Sequence, residues 1–70
     1  MARSELFDVI EVRIKAPHTV RIMAAGKTAR NAEAVINMAV HQRGVTEHFF
    51  TEVPAGQYRD GDVFPAESGG

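Results

Sequence analysis

The feature that most constrains this fold is a single helical segment set among strand patterns. The segment Ala29–Arg43 carries apolar residues at helical spacing, and these form one stripe: Ala32, Val35, Ile36, Ala39 and Val40. Thr28 is suited to cap the helix N-terminus, and Gly44 stands where a left-handed residue ends many helices. A single apolar stripe covers one face of one sheet, so the remaining segments must build that sheet.

Two strand patterns precede the helix. The stretches LFDVIEVRIK (residues 6–15) and HTVRIMA (residues 18–24) alternate β-branched residues with charged or polar ones. Pro17 lies in the short connection, which implies an antiparallel hairpin. The residues expected to face the helix are Ile10, Val12, Ile14, Val20 and Ile22. Ala24 is placed on the same face of the second strand.

A third strand pattern follows the helix. The stretch VTEHFFTEV (residues 45–53) is ended by Pro-Ala-Gly at 54–56. A right-handed crossover makes this strand parallel to the second, and pairing beside the first gives an all-antiparallel sheet of order 2-1-3. We therefore predict an α+β fold of β-β-α-β order, with one helix packed on one face of three antiparallel strands. The turn-rich remainder has room for one short extra strand near Val63 and Phe64.

Length and composition limit the class of protein. Seventy residues form one domain, with the core expected at about 5–54 and a turn-rich segment at 55–70. The chain has no Cys and no apolar run of about 20 residues, so we expect a soluble cytoplasmic domain without a membrane segment. The net charge is −1, so the chain lacks the excess of basic residues that is typical of a protein that binds duplex nucleic acid. Direct nucleic-acid binding is therefore not expected.

No motif for catalysis or for binding a cofactor is complete. Gly26-Lys27-Thr28 between a strand and a helix is laid out like a phosphate-binding loop, but Arg21 stands at the position of its first glycine. The three histidines, His18, His41 and His48, lack the spacing of metal ligands. Residues 59–62 (RDGD) lack the remaining ligands of a calcium loop. Without Cys or a glycine-flanked Ser, we expect neither enzymatic activity nor a cofactor.

The face of the sheet opposite the helix is the candidate contact surface. Phe49 and Phe50 are adjacent in a strand and must point to opposite faces. The one on the open face would join an apolar patch rimmed by guanidinium groups: Phe7, Val9, Met23, Arg13 and Arg21. Phe, Met and Arg are enriched at protein interfaces. The alternative is that the C-terminal segment folds back through Tyr58 or Phe64 and covers this patch.

The C-terminal sequence DGDVFPAESGG resembles the ends of the small ubiquitin-like sulfur carriers of thiamin and molybdopterin synthesis. The matching positions are Asp60, Gly61, Asp62, Gly69 and Gly70. The resemblance implies a β-grasp fold in which Gly70 is adenylated and thiocarboxylated. In those carriers a central apolar strand separates the turn from the tail, whereas here only Val63 and Phe64 precede Pro65.

The whole chain looks more like the very small proteins of phages and prophages, including anti-CRISPR proteins. The resemblance lies in the hairpin followed by KTARNAEAVINMAVHQRGV and FFTEVPAGQYRDGD. It implies a non-enzymatic inhibitor that binds a CRISPR–Cas surveillance complex in the host cytoplasm and blocks target-DNA binding, as a monomer or a homodimer. The expected contact residues are Arg13, Arg21, Met23, Glu47, Phe50, Glu52, Asp60 and Asp62. The acidic members would meet the Lys and Arg that normally hold DNA phosphates.

Overall fold

The computed structural model describes residues 5–65 and has the predicted α+β fold. The elements are the strands β1 (Phe7–Arg13) and β2 (Val20–Lys27), the helix α1 (Ala29–Arg43) and the strand β3 (His48–Pro54). The three strands pair antiparallel in the order β2-β1-β3. The predicted order of elements and the predicted strand order are both confirmed.

Both ends of α1 are closed as the sequence predicts. The Thr28 hydroxyl accepts the backbone N–H of Asn31 at 3.3 Å, which satisfies one of the free donors of the first turn. Gly44 has a φ of 74°, and its N–H donates to the carbonyl oxygen of Val40 at 2.8 Å. The positive φ explains why glycine occupies this position.

The central strand β1 separates two faces of the sheet. Residues directly opposite each other in antiparallel strands project to the same face. One face, called the core face, holds Ile10 with its partners Ile22 and Thr51. The other, called the helix face, holds Glu11 with its partners Arg21 and Phe50.

The helix packs on the face of Glu11, not on the face of Ile10. The Arg43 guanidinium lies 2.8 Å from a carboxylate oxygen of Glu11 and 5.9 Å from the ring centroid of Phe50. The prediction for the helix-facing residues is therefore wrong in its choice of face. Four of them belong to a cluster that does not include the helix: Ile10, Val12, Val20 and Ile22. The fifth, Ile14, is exposed.

The C-terminal segment covers the core face. Tyr58 is buried in the core cluster, and Phe64 packs against that cluster. The Phe64 ring lies 5.5 Å from the Tyr58 ring and 5.8 Å from the Phe49 ring, centroid to centroid. Because the single helix covers only the helix face, these aromatic side chains shield the other apolar face from water. The core therefore extends beyond residue 54, the limit expected from sequence.

A β-bulge in β2 changes which face its last residues occupy. Ile10 pairs with Ile22, but Val9 pairs with Ala24, which leaves Met23 as an extra residue. Ala24 consequently joins Val9 on the helix face instead of following Ile22. Its predicted placement is wrong because an alternating pattern does not reveal a bulge.

The outer edge of β2 is covered by the turn that precedes Phe64. Val20 donates its N–H to the Asp62 carbonyl oxygen and accepts the Gly61 N–H, each at 2.8 Å. Thr19 and Val63 form an isolated antiparallel bridge. The short extra strand predicted near Val63 is thus reduced, in residues 5–65, to a single bridge at this edge.

Asp8 connects β1 to two separate loops. Its side chain is buried, and its two oxygens accept the backbone N–H groups of Gly26 at 3.0 Å and Gly56 at 2.9 Å. Both glycines have positive φ, 66° and 84°, a backbone conformation that other residues rarely adopt. One carboxylate therefore fixes the end of β2 and the turn after β3 at the same time.

The role of Asp8 can be measured with an isosteric variant. Asp8→Asn replaces one acceptor oxygen by a donor that faces a backbone N–H. We expect the free energy of unfolding in urea to fall by about 2 kcal/mol. The control, Glu5→Gln, also removes one negative charge but at an exposed position. Equal stability of the two variants would contradict the role of Asp8.

The cover over the core face can be tested by comparing neighbouring residues. Phe64→Ala removes a ring that packs on Tyr58 and Phe49, so we expect a loss of about 2 kcal/mol and binding of a dye such as ANS. Val63→Ala, at a residue that is 52% exposed, should cost much less. If both variants lose the same stability, the ring does not act as a cover.

Candidate partner-binding site

A row of three residues crosses the helix face near the C-terminal end of α1. Arg21 on β2, Glu11 on β1 and Phe50 on β3 are register partners and therefore lie side by side. Glu11 is only 3% exposed. Arg43 reaches this row from the last turn of α1. The row is the base of the candidate site.

Arg43 is held in place by two different contacts. Its Nη2 atom lies 2.8 Å from Oε2 of Glu11, and its guanidinium lies over the ring of Phe50. Within residues 5–65 no donor is aligned well enough to hydrogen-bond this Oε2, so the contact is an ion pair. The Arg43 side chain is nonetheless 52% exposed. A guanidinium has five N–H donors, so the contact with Glu11 leaves donors that a ligand can use.

Three adjoining hollows surround this row, and all three are lined by His48. The largest, about 440 Å³, lies between the end of β1 and the start of β3 and includes Arg13 and Lys15. A second, about 160 Å³, lies over Glu11, Arg43 and Phe50. A third, about 380 Å³, extends towards β2. Together the three are called the His48 groove.

The His48 groove carries more cationic than anionic side chains available to a ligand. Its cationic lining consists of Arg13, Lys15, Arg21 and Arg43. Its acidic lining consists of Glu11, Glu47 and Asp60. Glu11 is already paired with Arg43, and one oxygen of Asp60 accepts the N–H of Ile22 at 2.7 Å. With the Glu11–Arg43 pair set aside, the lining holds three cationic and two acidic side chains, an excess of one positive charge that favours a ligand group with negative charge.

The structure brings together five of the residues predicted to contact a partner, but the expected location opposite the helix is wrong, because Arg13, Arg21 and Phe50 project to the helix face. The five line the His48 groove: Arg13, Arg21, Glu47, Phe50 and Asp60. Met23 is the half-buried bulge residue of β2. Glu52 is half-buried opposite Val9, one row away from Phe50. Asp62 lies in the turn beyond β2. None of these last three is among the residues that line the groove.

The predicted acidic residues do not form one patch. Asp60 and Asp62 lie beyond the outer edge of β2, and both use a carboxylate oxygen to accept a backbone N–H, from Ile22 and Arg59 respectively. Glu52 lies on β3, at the opposite side of the three-stranded sheet. Adjacent strands are about 4.8 Å apart, so these groups are separated by more than two strand spacings.

Sequence reasoning did not select three residues that define the groove: Glu11, Arg43 and His48. The sequence did carry a signal for Glu11. Apolar residues of the same strand point to both faces of the sheet, so a carboxylate among them is expected to be buried and to need a cationic partner. The cation itself was not identifiable. Arg43 is 32 positions away in sequence, and its contact depends on which face the helix covers.

Among residues 5–65 no group of His, Asp and Glu is arranged to hold a metal ion. In the same part of the chain, no helix has both the length and the apolar character needed to cross a bilayer. Gly69 and Gly70, the residues of the predicted carrier site, lie outside the described residues.

Comparison with known proteins assigns no family. No protein-family model, curated protein or solved structure matches the chain. The assignment of a function therefore rests on the groove and on the sequence patterns.

The pairing of Glu11 with Arg43 predicts a specific pattern of stabilities. Arg43→Ala leaves a buried carboxylate without its cation, and we expect a loss of about 1–2 kcal/mol, reduced from a fully buried pair because Arg43 is half exposed. The same substitution made together with Glu11→Gln should cost less, because no charge is left unpaired. A double-mutant cycle in urea measures this difference. A coupling energy of zero would show that the ion pair does not stabilise the fold.

Proposed function

We propose that this protein is a non-enzymatic inhibitor that binds a larger protein assembly through the His48 groove. The observation that carries the proposal is Arg43, whose guanidinium is fixed by Glu11 and Phe50 yet remains half exposed. A fixed side chain loses less conformational entropy when a partner binds. Arginine next to an aromatic residue in a concave site is typical of the residues that dominate binding energy at protein interfaces.

The groove defines the chemistry of the surface it binds. Guanidinium groups bind carboxylates in two-point contacts, so the favoured partner is an acidic segment of a protein. A DNA or RNA duplex fits less well, because the chain has a net charge of −1 and Glu47 and Asp60 also line the groove.

The resemblance to small phage proteins supplies the partner class. We propose that the assembly is a CRISPR–Cas surveillance complex in the cytoplasm of a bacterial host, and that binding blocks the access of target DNA. The contact differs from the one expected from sequence. Because the acidic residues Glu52, Asp60 and Asp62 are dispersed, an acidic mimic of DNA is not the basis of this proposal. The proposed mechanism is instead steric obstruction of target DNA by a protein that docks through its arginine side chains.

The alternative function is that of a ubiquitin-like sulfur carrier. Within residues 5–65 the segment after the turn contributes one bridge at the outer edge of β2 and no central strand. β3 itself pairs directly with β1. The central apolar strand that precedes the tail in such a carrier is therefore absent from residues 5–65.

Binding through the groove can be tested with matched charge reversals. Tagged protein would be used to capture partners from a host lysate shown to contain a surveillance complex, and affinities would then be measured with the purified complex. We expect the double variant Arg13→Glu/Arg21→Glu to weaken binding about tenfold or more. The control variant Arg30→Glu/Arg59→Glu makes the same change in charge at exposed positions outside the groove.

The outcomes separate the parts of the proposal. Capture of a surveillance subunit, with loss of target-DNA binding in a gel-shift assay, would support the inhibitor. Absence of every such subunit would contradict the partner class, and equal binding by the two double variants would contradict the groove. Recovery of an adenylating enzyme, lost when Gly69 and Gly70 are deleted, would establish the carrier instead.

A further inference from the structure

The outer edge of β3 has no partner strand in residues 5–65. The sheet ends at β3, and the isolated bridge of the described residues lies at the other edge. The two edges of the sheet therefore differ. The edge of β2 is covered by the turn at residues 60–62, whereas among residues 5–65 no loop backbone hydrogen bond reaches β3 between His48 and Val53. Unpaired edges of this kind are templates for pairing with another chain.

The register identifies which backbone groups point outwards from β3. Ile14 donates its N–H to the Glu47 carbonyl oxygen at 2.9 Å, and Ala55 donates to the Leu6 carbonyl oxygen at 3.0 Å. Both bonds continue the register of β1 with β3. Hydrogen-bonded and non-bonded pairs alternate in an antiparallel ladder. The residues that direct their N–H and C=O groups away from β1 are therefore His48, Phe50 and Glu52.

We propose that β3 pairs antiparallel with β3 of a second copy of this chain, centred on Phe50. In this register the two Phe50 residues face each other across a two-fold axis. His48 of each copy then stands directly opposite Glu52 of the other. Both side chains project to the helix face, and a histidine ring donates a hydrogen bond to a carboxylate. The pairing is thus complementary at two symmetry-related positions.

The neighbouring registers lack this complementarity. A shift of the two-fold axis to Glu52 places the two Glu52 side chains opposite each other, and like charges in directly opposed positions destabilise a sheet. A shift of the axis to Thr51 places Glu52 opposite Phe50 and His48 opposite Pro54, which has no N–H to donate. Charge and backbone donors together favour the register centred on Phe50.

The helices are compatible with this arrangement. A two-fold axis perpendicular to the sheet keeps both copies of α1 on the same face of a six-stranded sheet. Val40, three positions before Arg43 on α1, is 39% exposed in the single chain and lies on this shared face.

Sedimentation equilibrium over a range of concentrations up to millimolar tests the proposal. We expect a monomer–dimer equilibrium for the unmodified chain. His48→Glu places a glutamate of each copy opposite Glu52 of the other, which gives two pairs of like charges. Because each pair should raise the dissociation constant severalfold, we expect a rise of about tenfold in total. The exchange His48→Glu/Glu52→His restores both pairs and should return the dissociation constant towards its original value. This rescue is specific to the register centred on Phe50.

A backbone variant provides an independent test. Glu52→Pro removes an outward N–H but no hydrogen bond to β1, and proline is tolerated at an edge strand. Glu52 does not line the His48 groove, so the variant separates self-association from partner binding. We expect a folded monomer by circular dichroism and sedimentation.

Three results would overturn the proposal. The first is an unmodified chain that stays monomeric at millimolar concentration, which would leave the edge free for a strand of another protein. The second is a dimer that persists in folded Glu52→Pro. The third is a failure of the exchanged pair to restore association lost in His48→Glu.

Discussion

The central strand of this fold buries two carboxylates, and the rest of the structure is arranged around their partners. Residues 8–12 are all buried, and they include Asp8 and Glu11. A buried carboxylate without a partner is costly, so each must be satisfied from another part of the chain. Asp8 draws in two glycine N–H groups from the ends of β2 and β3, and Glu11 draws in Arg43 from the end of α1. These contacts add to the strand ladders and connect β1 to the end of β2, the turn after β3 and the end of α1.

The contact that stabilises the fold also prepares the candidate site. The carboxylate of Glu11 is buried, whereas the cation that pairs with it is half exposed. Arg43 is therefore oriented from below by Glu11 and Phe50 while its outer side faces the groove. In this way, contacts with the buried part of the fold restrict the conformation of a surface side chain. A partner that binds the groove encounters a guanidinium that has already lost much of its freedom.

The sequence predicts the elements and their order because hydrophobic periodicity and capping residues are local signals. Thr28 and Gly44 identify the helix ends, and the short hairpin and the crossover rule determine the strand order. The face covered by the helix is not a local property. β1 is apolar on both parities, so Val9 and Ile10 compete equally for the helix, and the bulge at Met23 reverses parity in β2. The groove depends on that choice of face, which is why Glu11, Arg43 and His48 were not predicted.

The cover of the core face has a consequence for the synthesis of the chain. Ile10 and Val12 are translated before the rings that shield them, which belong to Tyr58 and Phe64. The rings of Tyr58 and Phe64 are missing from the nascent hairpin, so its apolar face stays partly exposed until these two residues have been made. The domain therefore completes its core only after residue 64 has left the ribosome. Until then it presents the kind of surface that chaperones recognise.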